Sequence, residues 1–193
     1  MSRYRKITND DPTRSGLREM SLMHVFRDSA VRRDSRDPDR HYQDGERDLT
    51  IRSQKRRDGT DETALRHNIA LDVASLMNTI RLDVSVGLDH TPRVAGSVVN
   101  YGFQDMDSLW RNHRTPSDMA AAIRETLIAN EPRLRPSTIE VRVDETGPTS
   151  GQRLHFEIVA EMISNPTDIA LQFYAEVDPG AGKIALKRMQ GES

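Results

Sequence analysis

The sequence contains no cysteine. That removes disulfides, thiolate nucleophiles and zinc–thiolate centres, and it suits a reducing compartment. There is no apolar run near the ~18 residues needed to cross a bilayer, and no charged-apolar-small start of the secretory kind. Neither a membrane span nor a secretory signal is therefore expected, and the cytoplasm is the expected location. The six histidines, His24, His41, His67, His90, His113 and His155, never fall in an HxH or HxxxH pair, so no metal or other cofactor is expected. His67 and His155 read as surface residues. No serine sits in a GxSxG elbow and no glycine run forms a phosphate cradle, which leaves nucleophilic and nucleotide chemistry without support. A dominant sign of charge is lacking too. With a formal net charge of -2 and a pI near 6.3, the whole molecule is not an electrostatic nucleic-acid binder.

What is present is unevenly distributed. The 193 residues are 35% hydrophobic and 30% charged, with a mean hydropathy of -0.70, an average that usually hides a polar tail. Up to about residue 60, arginine and aspartate alternate densely, with few large apolar side chains to offset the entropy of ordering. Residues 1–59 are thus expected to be largely flexible. Arg32, Arg33, Arg56 and Arg57 could attract phosphates, but the interspersed aspartates cancel much of that field. Within this segment "GLREMSLMHVFRD" predicts a short docking helix near 17–28, with Leu17, Leu22, Met23, Val25 and Phe26 on its sticky face.

From Thr60 the pattern changes, and residues 60–193 are expected to form one α+β domain. "TDETALRHNIALDVASLMNTI" opens on a capping residue and first-turn acids and spaces Leu65, Ile69, Val73, Leu76, Met77 and Ile80 as a helix. The alternation of Leu82, Val84, Val86 and Leu88 suggests a short strand. Thr115 and Pro116 are placed as N-cap and first helical residue of a second helix, with Ala120, Ile123 and Leu127 on one side. Then come alternating runs: Ile139, Val141, Val143; Leu154, Phe156, Ile158, Ala160, Met162; Ile169, Leu171, Phe173, Ala175, Val177; and a brief "IALK". "GPTSG" and "DPGAGK" join them as turns. The expected fold is two main helices packed on a mostly antiparallel sheet of three to four strands.

The strand acids are the candidates for sugar-polymer hydrolysis, which needs two carboxyls ~5–9.5 Å apart. Glu157 and Glu161, like Glu140 and Asp144, stand about 13 Å apart along a strand. A pair across strands stays open, beside the simpler reading of a solvated sheet face. At "SVVNYG", Gly102 allows positive φ, Asn100 can bond nearby backbone and Tyr101 can pack, so the segment reads as a tight corner or as a contact surface. The triplet Glu131, Pro132, Arg133 stands where helical spacing gives way to alternation. Proline closes the helix at Glu131, whose carboxylate then meets the negative end of the helix dipole. Arg133, or a basic group of another chain, must compensate it. An exposed pair of that kind stabilises little, so Arg133→Ala is expected to leave thermal stability nearly intact.

Taken in order, "SLMHVFRD", "LMNTIR", "SVVNYGFQDM", "NEPRL" and "RLHFEIVAEM" make the chain, from about Ser21 to its C-terminus, resemble a known family. It is similar to the type VI secretion baseplate subunit related to the contractile-phage tail wedge protein and sheath initiator, long labelled lysozyme-like. It departs from that family at Ile80, Phe103 and Gln104. The resemblance implies a non-enzymatic, cytoplasmic assembly role, with other wedge subunits and contractile sheath proteins as partners. It implies no small-molecule substrate, nucleic acid, cofactor or membrane insertion. It ties Glu131, Pro132 and Arg133 to docking, with Asn100, Tyr101 and Gly102 as further contacts. The short last strand, with Ile184 and Leu186, would offer unpaired backbone to an incoming sheath strand. The competing classes are a peptidoglycan-cleaving enzyme, which would turn over cell walls, and a small regulatory adaptor, which would co-purify with its target.

Overall fold

In a computed structural model of the chain, the described residues are 17–31, 33, 42–43, 46–47, 59–105, 115–144, 153–178 and 183–188. The expected turns at 147–151 and 179–182, and most of the segment expected to be flexible, lie outside them. The chain divides into two compact units, residues 1–68 with 164–166, and residues 69–163 with 167–193.

In the first unit, helix α1 spans Leu22–Val31. It begins later than expected, leaving Leu17 outside. The expected sticky face is split: Val25 is buried, whereas Leu22, Met23 and Phe26 are exposed. Two strands of two residues each, β1 (Tyr42–Gln43) and β2 (Glu46–Arg47), pair antiparallel. Arg18 is fastened to Thr60 by a reciprocal pair of backbone bonds of 2.8 and 2.9 Å. Its guanidinium reaches Glu62 at 3.0 Å and Ser164 at 3.2 Å. Gly59 makes this approach possible: at φ 87° an added Cβ would stand 2.4 Å from the Arg18 carbonyl oxygen.

Helix α2 runs Glu62–Met77. Its cap is Asp61 rather than Thr60, since the Asp61 carboxylate accepts the Ala64 N–H at 2.8 Å. Leu65, Ile69, Val73, Leu76 and Met77 are all buried, as the spacing predicts, while Ile80 is exposed beyond the helix end. Helix α3, Pro116–Asn130, opens with the expected Thr115 cap and adds a capping box through Asp118. Its buried stripe holds Met119, Ala120, Ile123 and Leu127.

The strand expected over 82–88 is absent. Leu82–Val84 forms a 3₁₀ turn, and Val84 and Val86 are exposed. Local bonds win here: Arg81 grips Asp83 at 2.7 Å, and the Asp83 N–H goes to the Asn100 side chain at 3.0 Å. A single turn of helix at Pro92–Ala95 follows.

The sheet is an antiparallel meander, β3 (Glu140–Val143), β4 (Leu154–Met162), β5 (Ile169–Asp178) and β6 (Lys183–Arg188), in that spatial order. Phe156 opposes Ala175, Ile158 opposes Phe173, and Val177 opposes Ile184. The expected apolar sets therefore share one face, and these residues, with Ala160, Met162, Ile169 and Leu171, are buried. The core of the second unit is made by that face with the buried residues of α3 and of α2 from Ile69 onward, an α+β arrangement as the sequence predicts.

Candidate docking site

Glu131 closes α3, its N–H donating to the Leu127 carbonyl at 2.9 Å. Pro132 ends the helical path, and the Leu134 N–H turns back to the Glu131 carbonyl at 3.1 Å. The elbow is fastened to the end of β4. Ile163 donates to the Arg133 carbonyl and Arg135 to the Glu161 carbonyl, both at 2.8 Å.

The carboxylate of Glu131 is buried at 6% residue exposure, in the negative field of the helix end. Arg133 grips it in a fork, Nε to Oε1 at 2.6 Å and Nη2 to Oε2 at 2.5 Å. Nη2 also donates to Asp72 of α2 at 2.8 Å. Burial disfavours the guanidinium charge, but the hydrogen bonds and charges of Glu131, then Asp72, outweigh it and hold its pKa above the ordinary value. The pair expected to be exposed is instead part of a largely buried cluster of three. Stripping out the guanidinium would take the fork from the buried Glu131 carboxylate, so near-intact stability of Arg133→Ala is not what this geometry supports. Pro132 stays exposed.

Just past the C-terminal end of α2, the Asn78 side chain reaches β6. Its Oδ1 accepts the Ile184 N–H at 3.3 Å and its Nδ2 donates to the Ile184 carbonyl at 2.9 Å. Ile184 therefore turns its backbone away from β5. Backbone groups alternate sides along a strand, so Leu186 and Arg188 point the same way, while Ala185 and Lys187 serve β5. Because β6 ends the sheet, that outward side is a margin. By this alternation the Leu186 backbone faces the margin, whereas at Ile184 it is taken by Asn78. Asp72 and Asn78 are six residues apart on the α2 path, about 9 Å of rise, so one helix supports both features.

Asn100 and Gly102 form the expected corner. Asn100 is buried and bonds the Asp83 N–H at 3.0 Å, the Asp83 carboxylate at 3.2 Å and the Ala95 carbonyl at 3.0 Å. Gly102 has φ 137°, and an added Cβ would meet the Thr79 oxygen at 2.3 Å. There Phe103 and Thr79–Arg81 exchange bonds of 2.7 and 3.0 Å. Tyr101 is half-buried, and the corner presents Val98 and Val99 to solvent at 89% and 63% exposure.

A family model described as baseplate wedge protein gp25 matches residues 63–167. The chain belongs to that family. The match covers nearly all of α2, the corner, α3 and strands β3 and β4 of this baseplate wedge protein, and stops before β5. No curated protein and no solved structure matches the chain.

The outward sheet face of the wedge domain carries its strand acids in bonded pairs. Glu176 takes Lys187 at 2.8 Å and Arg153 at 2.5 Å, which together lower its pKa, Lys187 the more strongly. Glu157 accepts from Gln172 at 2.5 Å, and Glu140 pairs with Arg142 at 2.5 Å. Among the described residues no group of three or more His, Asp or Glu could hold a metal. Sequence reading missed Asp72 and Asn78. An acid beside the apolar stripe of α2 was a usable signal for the first; nothing local announces a partner 106 residues away for the second.

Proposed function

We propose that this chain is a non-enzymatic, cytoplasmic component of a type VI secretion baseplate that joins wedge subunits and nucleates the first sheath ring. Wedge subunits contact the Glu131–Pro132–Arg133 elbow and the Asn100–Tyr101–Gly102 corner; a sheath strand adds to β6. The observation that carries this reading is the terminal strand of a baseplate-family chain with the Leu186 backbone turned outward. The bonded state of the strand acids supports an attachment role over hydrolysis. No helix among the described residues is long and apolar enough to cross a membrane.

Leu186→Pro tests it. The ring removes an outward donor but no bond to β5, a position where edge strands tolerate proline; Leu186→Ala controls for lost side-chain packing. Sheath polymerisation on purified baseplates should fail with Leu186→Pro and proceed with Leu186→Ala, both proteins remaining folded by circular dichroism. Normal polymerisation with folded Leu186→Pro would reject strand addition at β6.

A further inference from the structure

Asn78 offers Ile184 one donor and one acceptor, the pair that a peptide of a neighbouring strand would offer. Its head group is not loose. Nδ2 also donates to the Ala74 carbonyl at 2.8 Å, and the Asn78 N–H reaches the same oxygen at 3.2 Å, which fixes the carboxamide at the end of α2. The opposite margin is guarded in a related way, since Arg124 of α3 donates to the Ile139 carbonyl at 2.9 Å, next to β3. A helix side chain thus occupies each margin of the sheet, and on β6 the occupied residue is Ile184.

We infer that Asn78 is a register-setting guard of the β6 margin: by holding Ile184 it confines an incoming strand to Leu186 and Arg188. This rests on the reading of β6 as the sheath-docking margin. The occupant is an extended sheath segment bearing carboxylates, because β6 reads Lys-Ile-Ala-Leu-Lys-Arg, three basic residues and no acid, and the Lys187 side chain, though bonded to Glu176, is 71% exposed. A strand sliding by two residues keeps its faces, so side-chain patterning alone does not forbid the slip. A blocked Ile184 does. The same block shortens the margin available for edge-to-edge pairing of two copies.

Two measurements test the guard. In the isolated chain the Ile184 amide should exchange slowly and the Leu186 amide rapidly. Asn78→Ala should speed Ile184 about tenfold, the loss of one ordinary hydrogen bond, and leave Ala185 and Lys187 protected by β5. For register, the chain lacks cysteine, so Ala185→Cys is its sole thiol and can be mapped by disulfide formation against single-cysteine sheath subunits. One sheath position should react when Asn78 is present, and a second, two residues along, should appear with Asn78→Ala. Rapid Ile184 exchange in the wild type, or one unchanged cross-link position in Asn78→Ala, would overturn the guard. Absence of cross-linking and of new β6 protection in both chains would instead strike the docking reading, because slow Ile184 exchange in the isolated chain supports the Asn78 contact by itself.

Discussion

Arg133→Ala perturbs the elbow most sharply. The Arg133 side chain is 29% exposed, and the side chains it joins, Glu131 and Asp72, are 7% and 18% exposed. Breaking a fully buried pair by removing one partner costs about 3–5 kcal/mol; partial exposure of Arg133 lowers that to about 2–4 kcal/mol. In a chain of this size each kcal/mol moves the melting temperature by about 2–4 °C, so the expected loss is roughly 4–16 °C. The diagnostic step is to add Glu131→Gln to Arg133→Ala. This removes the buried Glu131 carboxylate that has lost its fork and should recover part of the loss, whereas Glu131→Gln alone should destabilise. Arg133→Lys keeps the charge without the fork and should fall between wild type and alanine. Because the guanidinium pKa is raised, its contribution is fully present below its unfolded value and is lost only as pH rises through the still higher folded value. Thermal scans between pH 5 and pH 9 should therefore show the same gap between wild type and Arg133→Ala. A melting temperature within about 1–2 °C of wild type, or no recovery in the double variant, would show that the Arg133 fork does not hold the elbow.

Other expectations follow from separate features. Gly102→Ala should destabilise by about 2–4 kcal/mol, because it combines a positive φ with a Cβ driven into backbone; urea unfolding reads it directly. Glu62 has its pKa lowered, by the Arg66 hydrogen bond first and with help from Arg18. Its contribution is present above the usual glutamate range and lost as pH falls through the lowered folded value, so Arg18 and Thr60 amides should lose exchange protection on acidification, and Glu62→Gln should flatten that dependence. Arg133→Lys, measured well below its melting temperature, should reduce capture of wedge subunits; unchanged capture would separate the elbow's structural role from docking.

Much of the fold was legible because burial imposes the period. Ile69, Val73 and Leu76 on α2, and Leu171, Phe173 and Ala175 on β5, fall where their spacing puts them, since each element has one apolar side to hide. The Thr115–Pro116 helix start is a local event and reads locally. Leu82, Val84, Val86 and Leu88 show the limit: alternation makes a strand only where a partner ladder exists, and here Asn100 takes the Asp83 N–H instead. The elbow residues were visible as a charge problem, but its solution was half hidden. Arg133 lies two residues from Glu131, whereas Asp72 comes from another helix 61 positions away. Asn78 is harder still, for an asparagine past a helix end usually satisfies its own turn, and only the folded chain brings β6 beside it.

Strand addition at β6 is read out by its amide exchange, with and without purified sheath subunits. The Leu186 and Arg188 amides should become protected when sheath binds, while Ala185 and Lys187, already bonded to β5, do not change. A Leu186 amide that exchanges equally fast in the sheath-bound chain would contradict strand addition there.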